Sequence, residues 1–139
     1  MKETIYKVAI MIGTNVADRD AKLKAAREAV AELLAGVAVS PVIDSPDFTG
    51  KGADYLNQVV TGRLATVEAI DTAAESLIGK LHAIEDSLGR DRSKKEIVDA
   101  DIDLVMIVAG EVGEWSNAVV TAPREASTSI FKSLLRAVK

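Results

Sequence analysis

The element pattern of this chain predicts an α+β fold, an antiparallel sheet with helices laid on one face. Three observations carry that reading. Four apolar runs have strand length, two longer segments repeat their apolar residues at helical spacing, and glycine or proline punctuates the junctions. Tyr6 to Ile12, bounded by Gly13-Thr14-Asn15, reads as a buried strand ending in a turn. Asp18 to Leu34 reads as a helix, because Ala21, Ala25, Ala29 and Leu33, with Leu23, Ala26, Val30 and Leu34, recur at three- and four-residue spacing. Asp18 is its expected N-cap, and Gly36 follows its last turn. Val37 to Ile43 is the second strand, and Asp44 to Gly52, with one proline and two glycines, is a loop. Tyr55 to Ala65 is the third strand, where Gly62 is expected to mark a bulge.

Val67 to Leu88 is the second helix, with an apolar stripe of Ile70, Ala73, Ala74, Leu77, Leu81, Ile84 and Leu88 and Gly89 at its end. Gly89 to Asp99 is a polar connection carrying Arg90, Arg92, Lys94 and Lys95. Ile102 to Val108 is the fourth strand, Gly110 and Gly113 flank a small hairpin with Trp115 beyond it, and a final helix runs from Arg124 to Val138. Strand, helix, strand, strand, helix, strand is the order of the ferredoxin-like arrangement (βαββαβ), a four-stranded antiparallel sheet, here with the hairpin and C-terminal helix added. That fold hosts many functions, so it assigns none.

At 139 residues the chain is read as one domain, 1–139, of ordinary globular composition. Its net charge of −4 and lack of a long basic run argue against nonspecific binding to nucleic acid. The absence of cysteine excludes disulfides, thiolate catalysis and zinc–sulfur sites, and a single histidine, His82, excludes a histidine-rich metal site. No signal-peptide pattern and no membrane-spanning apolar run is present, so the expected location is cytoplasmic.

The most informative stretch is Asp101-Ile102-Asp103-Leu104, two carboxylates leading into an apolar strand. Residues two apart on a strand share a face, roughly 6.6 Å apart. Like charges so close raise at least one pKa unless a cation lies between them. The pair is either a solvated strand start or a magnesium site, since paired carboxylates are hard oxygen ligands with room left for phosphates. Tyr55 and Asn57 likewise share a face, where they could stack on a flat heterocycle and hydrogen-bond its edge, or serve as core and edge residues. Arg90 and Arg92 follow a helix C-terminus, where cations are favourable anyway, but they are also the cluster available to a polyphosphate. No Walker loop or dinucleotide fingerprint occurs.

Five short pieces, in order, carry a resemblance: Ile12-Gly13-Thr14-Asn15, Asp54-Tyr55-Leu56-Asn57, Ile84-Glu85 with Leu88-Gly89-Arg90-Asp91-Arg92, Asp101-Ile102-Asp103-Leu104, and Thr121-Ala122-Pro123. Together, over residues 5 to 125, they resemble the 6-hydroxymethyl-7,8-dihydropterin pyrophosphokinases of folate biosynthesis. The resemblance implies a ferredoxin-like enzyme that moves pyrophosphate from ATP to the pterin hydroxymethyl group and releases AMP. By the same resemblance, Asp101 and Asp103 would bind two Mg2+ ions and Tyr55 and Asn57 the pterin. Arg92, with Arg90, would meet the phosphates, while Glu85, Thr121 and His82 would line the nucleotide side. The sequence also departs from the family pattern. Ile97 and Val98 stand where Pro-Arg is usual, Arg124 replaces a histidine, and Ala126 to Phe131 replaces Arg-Gly-Phe, leaving Phe131 as the candidate second pterin-stacking ring. Arg124 could still contact phosphate. Two other readings stand beside an active kinase: a pterin- or nucleotide-binding module of the same fold without turnover, and an interaction domain that dimerises through its sheet edge. The expected partners are small molecules alone, in a monomer or homodimer.

Overall fold

The computed structural model describes residues 2–46, 54–89 and 100–138. Its centre is β1 (Thr4–Thr14), whose Val8, Ala9, Ile10 and Ile12 are all fully buried, so both faces of this strand are covered. A strand buried on both faces reads as a continuous apolar run, which is how this segment stood out in the sequence. β1 pairs antiparallel with β4 (Tyr55–Thr66) on one side and with β5 (Asp101–Ala109) on the other. β2 (Ala35–Val39) and β3 (Ile43–Ser45) both lie against the outer edge of β4, and β6 (Val119–Val120) lies against β5. Every pairing is antiparallel, in the order β2-β4-β1-β5-β6 with β3 also on β4.

On the first face, Tyr6, Val8, Ile10 and Ile12 meet α1 (Arg19–Glu32) through Leu23, Ala26 and Val30, and α2 (Ile70–Ser87) through Ala73, Ala74, Leu77 and Leu81. Burying each of the larger side chains stabilises the fold by roughly 1.5–3 kcal/mol. The second face is covered too. Ala9, Val59, Val105 and Met106 pack against Phe131 and Leu134 of α4 (Ser129–Ala137), which follows the single turn α3 (Pro123–Ala126). No helix among the described residues is long and apolar enough to cross a membrane.

The sheet has six strands where four were expected. The predicted strand 37–43 breaks at Ser40-Pro41-Val42, because proline cannot donate to a ladder. Ser40 substitutes there: its hydroxyl accepts from the Val59 N–H at 2.9 Å, and its carbonyl accepts from Gln58 Nε2 at 2.8 Å. Arg27 Nη1 completes this polar seam by donating to Gln58 Oε1 at 2.9 Å. β3 therefore takes up the first residues of the predicted 44–52 loop, and β6 is the return arm of the predicted hairpin. The single predicted C-terminal helix is two, since Thr128 caps α4 by accepting from the Phe131 N–H at 3.1 Å. Asp18 lies at the N-cap of α1 but makes no side-chain cap bond.

Gly62 marks an irregularity as expected, on the β2 side: its register with β1 is unbroken, but the pairing with β2 shifts opposite it, from Ala35–Arg63 to Ala38–Thr61. The residue just past the C-cap of α1 also packs on it, since a Cβ at Gly62 would stand 2.9 Å from Leu34 Cβ. The register shift that matters lies elsewhere. Ala9 pairs with Met106 but Ile10 with Leu104, leaving Val105 as an extra residue on β5. Ile102, Leu104 and Ile107 thus belong to the first core, while Val105 and Met106 both belong to the second.

Candidate active site

Strand alternation decides which polar residues gather on the second face. Met11 and Gly13 of β1, Tyr55 and Asn57 of β4, and Asp101 and Asp103 of β5 all open onto one cavity of about 230 Å3. Ser45 of β3 joins them, and Arg124, Glu125, Thr128 and Ile130 form the roof from α3 and the start of α4. The register orders the floor. Gly13 is the direct partner of Asn57 on one side and of Asp101 on the other, and Met11 is the partner of Asp103. Asn57, Gly13 and Asp101 therefore form one row across three adjacent strands.

Asn57 is only 6% exposed, and its Nδ2 donates to Ser45 Oγ at 2.8 Å and to the Ile43 carbonyl at 3.3 Å. Those two bonds fix the amide plane and leave its carbonyl end beside Gly13, 3.5 Å from where a Cβ would be. Tyr55 is half-buried beside it.

Among the described residues, the groups named as acting on Asp103 all disfavour its charged form. Burial first, then the Asp101, Glu125 and Glu85 carboxylates, push the Asp103 carboxyl from 3.8 up to about 8, and a hydrogen bond with Asp101 acts in the same direction. A carboxylate so disfavoured is satisfied by a proton or by a cation. The donor set is hard oxygen, which suits Mg2+. Among the described residues no group of three or more acidic or histidine side chains is gathered to hold a metal by itself. Two carboxylates can hold a hard cation whose remaining positions are filled by waters and substrate phosphates, the usual habit of Mg2+.

Other residues singled out in the sequence fall elsewhere. Glu85 is 4% exposed on α2, where it accepts from the Ile102 N–H at 2.7 Å; it secures the start of β5 and does not line the cavity. Thr121 donates its hydroxyl to the Leu104 carbonyl, tying the approach to the roof onto β5. His82 is exposed on α2, away from the cavity lining. Phe131 corrects an expectation: it is 1% exposed in the second core, and its neighbour Ile130 reaches the cavity instead. The helix cap at Thr128 sets that phase, turning Phe131 onto the sheet. Arg124 lines the cavity, while Arg90 and Arg92 lie outside the described residues. Met11, Gly13, Ser45, Glu125, Thr128 and Ile130 were missing from the expected site. Same-face periodicity could have proposed Met11 and Gly13, but the roof depends on packing between distant segments.

Comparison with known families matches residues 9–132 to the family model described as 7,8-dihydro-6-hydroxymethylpterin-pyrophosphokinase. No curated protein matches the chain.

Proposed function

Because the chain belongs to the 7,8-dihydro-6-hydroxymethylpterin-pyrophosphokinase family, we propose that it transfers pyrophosphate from ATP to 6-hydroxymethyl-7,8-dihydropterin, releasing AMP, as a step of folate biosynthesis. The observation that carries this reading is that Tyr55 and Asn57 share one cavity with Asp101 and Asp103, a ring-binding end joined to a cation-binding end. Tyr55 stacks on the pterin, and Asn57, its amide held by Ser45 and Ile43, hydrogen-bonds the ring edge. Asp101 and Asp103 would hold Mg2+, two ions on the family pattern, which when bound neutralises the charge of the ATP phosphates. Arg124, at the roof, contributes positive charge to the phosphates. Glu85 positions Asp101 and Asp103 through the backbone of Ile102, and Arg92, with Arg90, belongs to the same proposal as a phosphate contact. The pterin hydroxyl oxygen bonds to the β-phosphorus as the bridge from that phosphorus to the α-phosphate breaks, AMP leaves, and the hydroxyl proton passes to solvent. Positioning and charge neutralisation are what such a transfer chiefly requires.

The ferredoxin-like reading belongs with this proposal. The inner order β2-β4-β1-β5 with α1 and α2 on one face supports it, β3 and β6 being additions. Location in the cytoplasm, as a monomer or homodimer, is part of the same reading.

The test is AMP formation from ATP that requires the hydroxymethyl-dihydropterin. Asp101→Ala and Asp103→Ala should each abolish it while circular dichroism stays unchanged, and turnover retained in both variants refutes the cation assignment. One observation favours a second reading. With Phe131 in the core, the described cavity offers Tyr55 as its one aromatic wall, which suits a module that binds without turnover. Calorimetry showing binding of Mg–ATP and pterin with no AMP would select it.

A further inference from the structure

Gly13 lies inside a strand, where glycine weakens the structure because it has no side chain to pack. Its backbone does not require glycine. The positive-φ glycines among the described residues are Gly36, Gly89 and Gly110, and Gly13 is not one of them. Nor would a side chain there collide with anything rigid. A Cβ would stand 3.5 Å from Asn57 Oδ1, 3.6 Å from Tyr55 Cδ1 and 4.0 Å from the Leu56 carbonyl, all ordinary contact distances. The missing side chain thus leaves space that alanine would fill without distorting the strand, and that space is part of the cavity.

The register gives the space a direction. Asn57 and Asp101 are the two partners of Gly13, one on each neighbouring strand. Strands lie about 4.8 Å apart, so Asn57 and Asp101 stand about 9.6 Å from each other across the sheet. A group whose edge is bonded at Asn57 must pass over Gly13 to reach the carboxylates. A single six-membered ring ends above Gly13, whereas two fused rings span it and bring a substituent to Asp101 and Asp103.

We propose that Gly13 sets ligand shape in this site: the trough left by its absent side chain admits a flat fused bicycle across β1, held at Asn57 and delivering its substituent to the Asp101–Asp103 side. This rests on the function proposed above and adds a specificity-determining residue to it.

The experiment compares wild type with Gly13→Ala, using three probes. These are 6-hydroxymethylpterin followed by its fluorescence, 2-amino-4-hydroxypyrimidine as a single-ring competitor carrying the same hydrogen-bonding edge, and Mg2+ with α,β-methylene-ATP by calorimetry. Unchanged circular dichroism and melting establish that the variant folds. The expected result is a loss of bicycle affinity at least tenfold larger than any loss for the single ring, with nucleotide affinity unchanged, so that the bicycle-to-monocycle ratio falls. If Gly13→Ala weakens both ring ligands equally, or leaves the bicycle untouched, Gly13 is not the determinant and the proposal is overturned while the function stands. If wild type binds no bicycle at all, the functional reading itself fails and takes this inference with it. Should Gly13→Ala not fold, an Asn57→Ala variant keeps the test open. It must weaken both ring ligands together, and loss of the bicycle alone would place the discrimination at Asn57 instead.

Discussion

Replacing Asp103 by asparagine removes a charge that the fold disfavours while keeping shape and the capacity to donate a hydrogen bond to Asp101. In the folded chain this carboxyl titrates near 8, against 3.8 ordinarily. Above the lower value the unfolded chain gains stability by ionising, and the folded chain cannot follow until pH approaches the upper one. Stability is therefore full below about pH 4 and declines as pH rises through this window, the reverse of a salt-bridged carboxylate. At about 1.4 kcal/mol per pH unit, the wild type carries up to ~4 kcal/mol of penalty at pH 7. Solvent at the cavity mouth and sharing of the proton with Asp101 reduce this to about 2 kcal/mol. With an unfolding entropy of about 0.3 kcal/mol/K for a chain of this length, Asp103→Asn should melt ~7 °C higher at pH 7. At pH 5 the gain should shrink to ~3 °C, because less of the window has been crossed. Differential scanning fluorimetry in EDTA at both pH values is the assay. A variant no more stable than wild type at pH 7, or one with the same gain at pH 5, refutes the reasoning.

Three further outcomes follow from the same geometry. Mg–nucleotide binding at pH 7 should release about one proton, drawn from Asp103, and none by pH 9; calorimetry in buffers of differing ionisation heat measures it. Glu85→Ala should cost about 1–3 kcal/mol in urea unfolding by orphaning the Ile102 N–H, whereas Glu85→Gln, which keeps an acceptor, should recover most of that. Ile130→Phe should tighten 6-hydroxymethylpterin binding about threefold to tenfold by adding a second aromatic wall, corresponding to ~0.5–1.5 kcal/mol; no change in fluorescence titration would show that Ile130 does not face the ring.

The central strands and both long helices were legible in the sequence because each is long, periodic and buried against the others. The pairing of Asp101 with Asp103, and of Tyr55 with Asn57, needed only the two-residue repeat of a strand. What joins the two pairs is the register through Gly13, which depends on how distant segments align. Local pattern carries no such information. The same limit explains Phe131 and Ile130: one residue of helical phase separates core from cavity, and the cap at Thr128 sets that phase. Ser40 and Pro41 could have announced the split strand, since proline interrupts a ladder wherever it falls.

Floor and roof of the cavity differ in what restrains them. The floor belongs to interlocked antiparallel ladders, whereas α4 is fastened chiefly by Phe131 and Leu134 plugging the second face. Loosening two plugs costs far less than unzipping a ladder, so amide exchange should reach residues 129–137 well before it reaches Gly13. Ligand entry and escape can then be tuned by mutating the plugs, with the reading surface beneath left untouched.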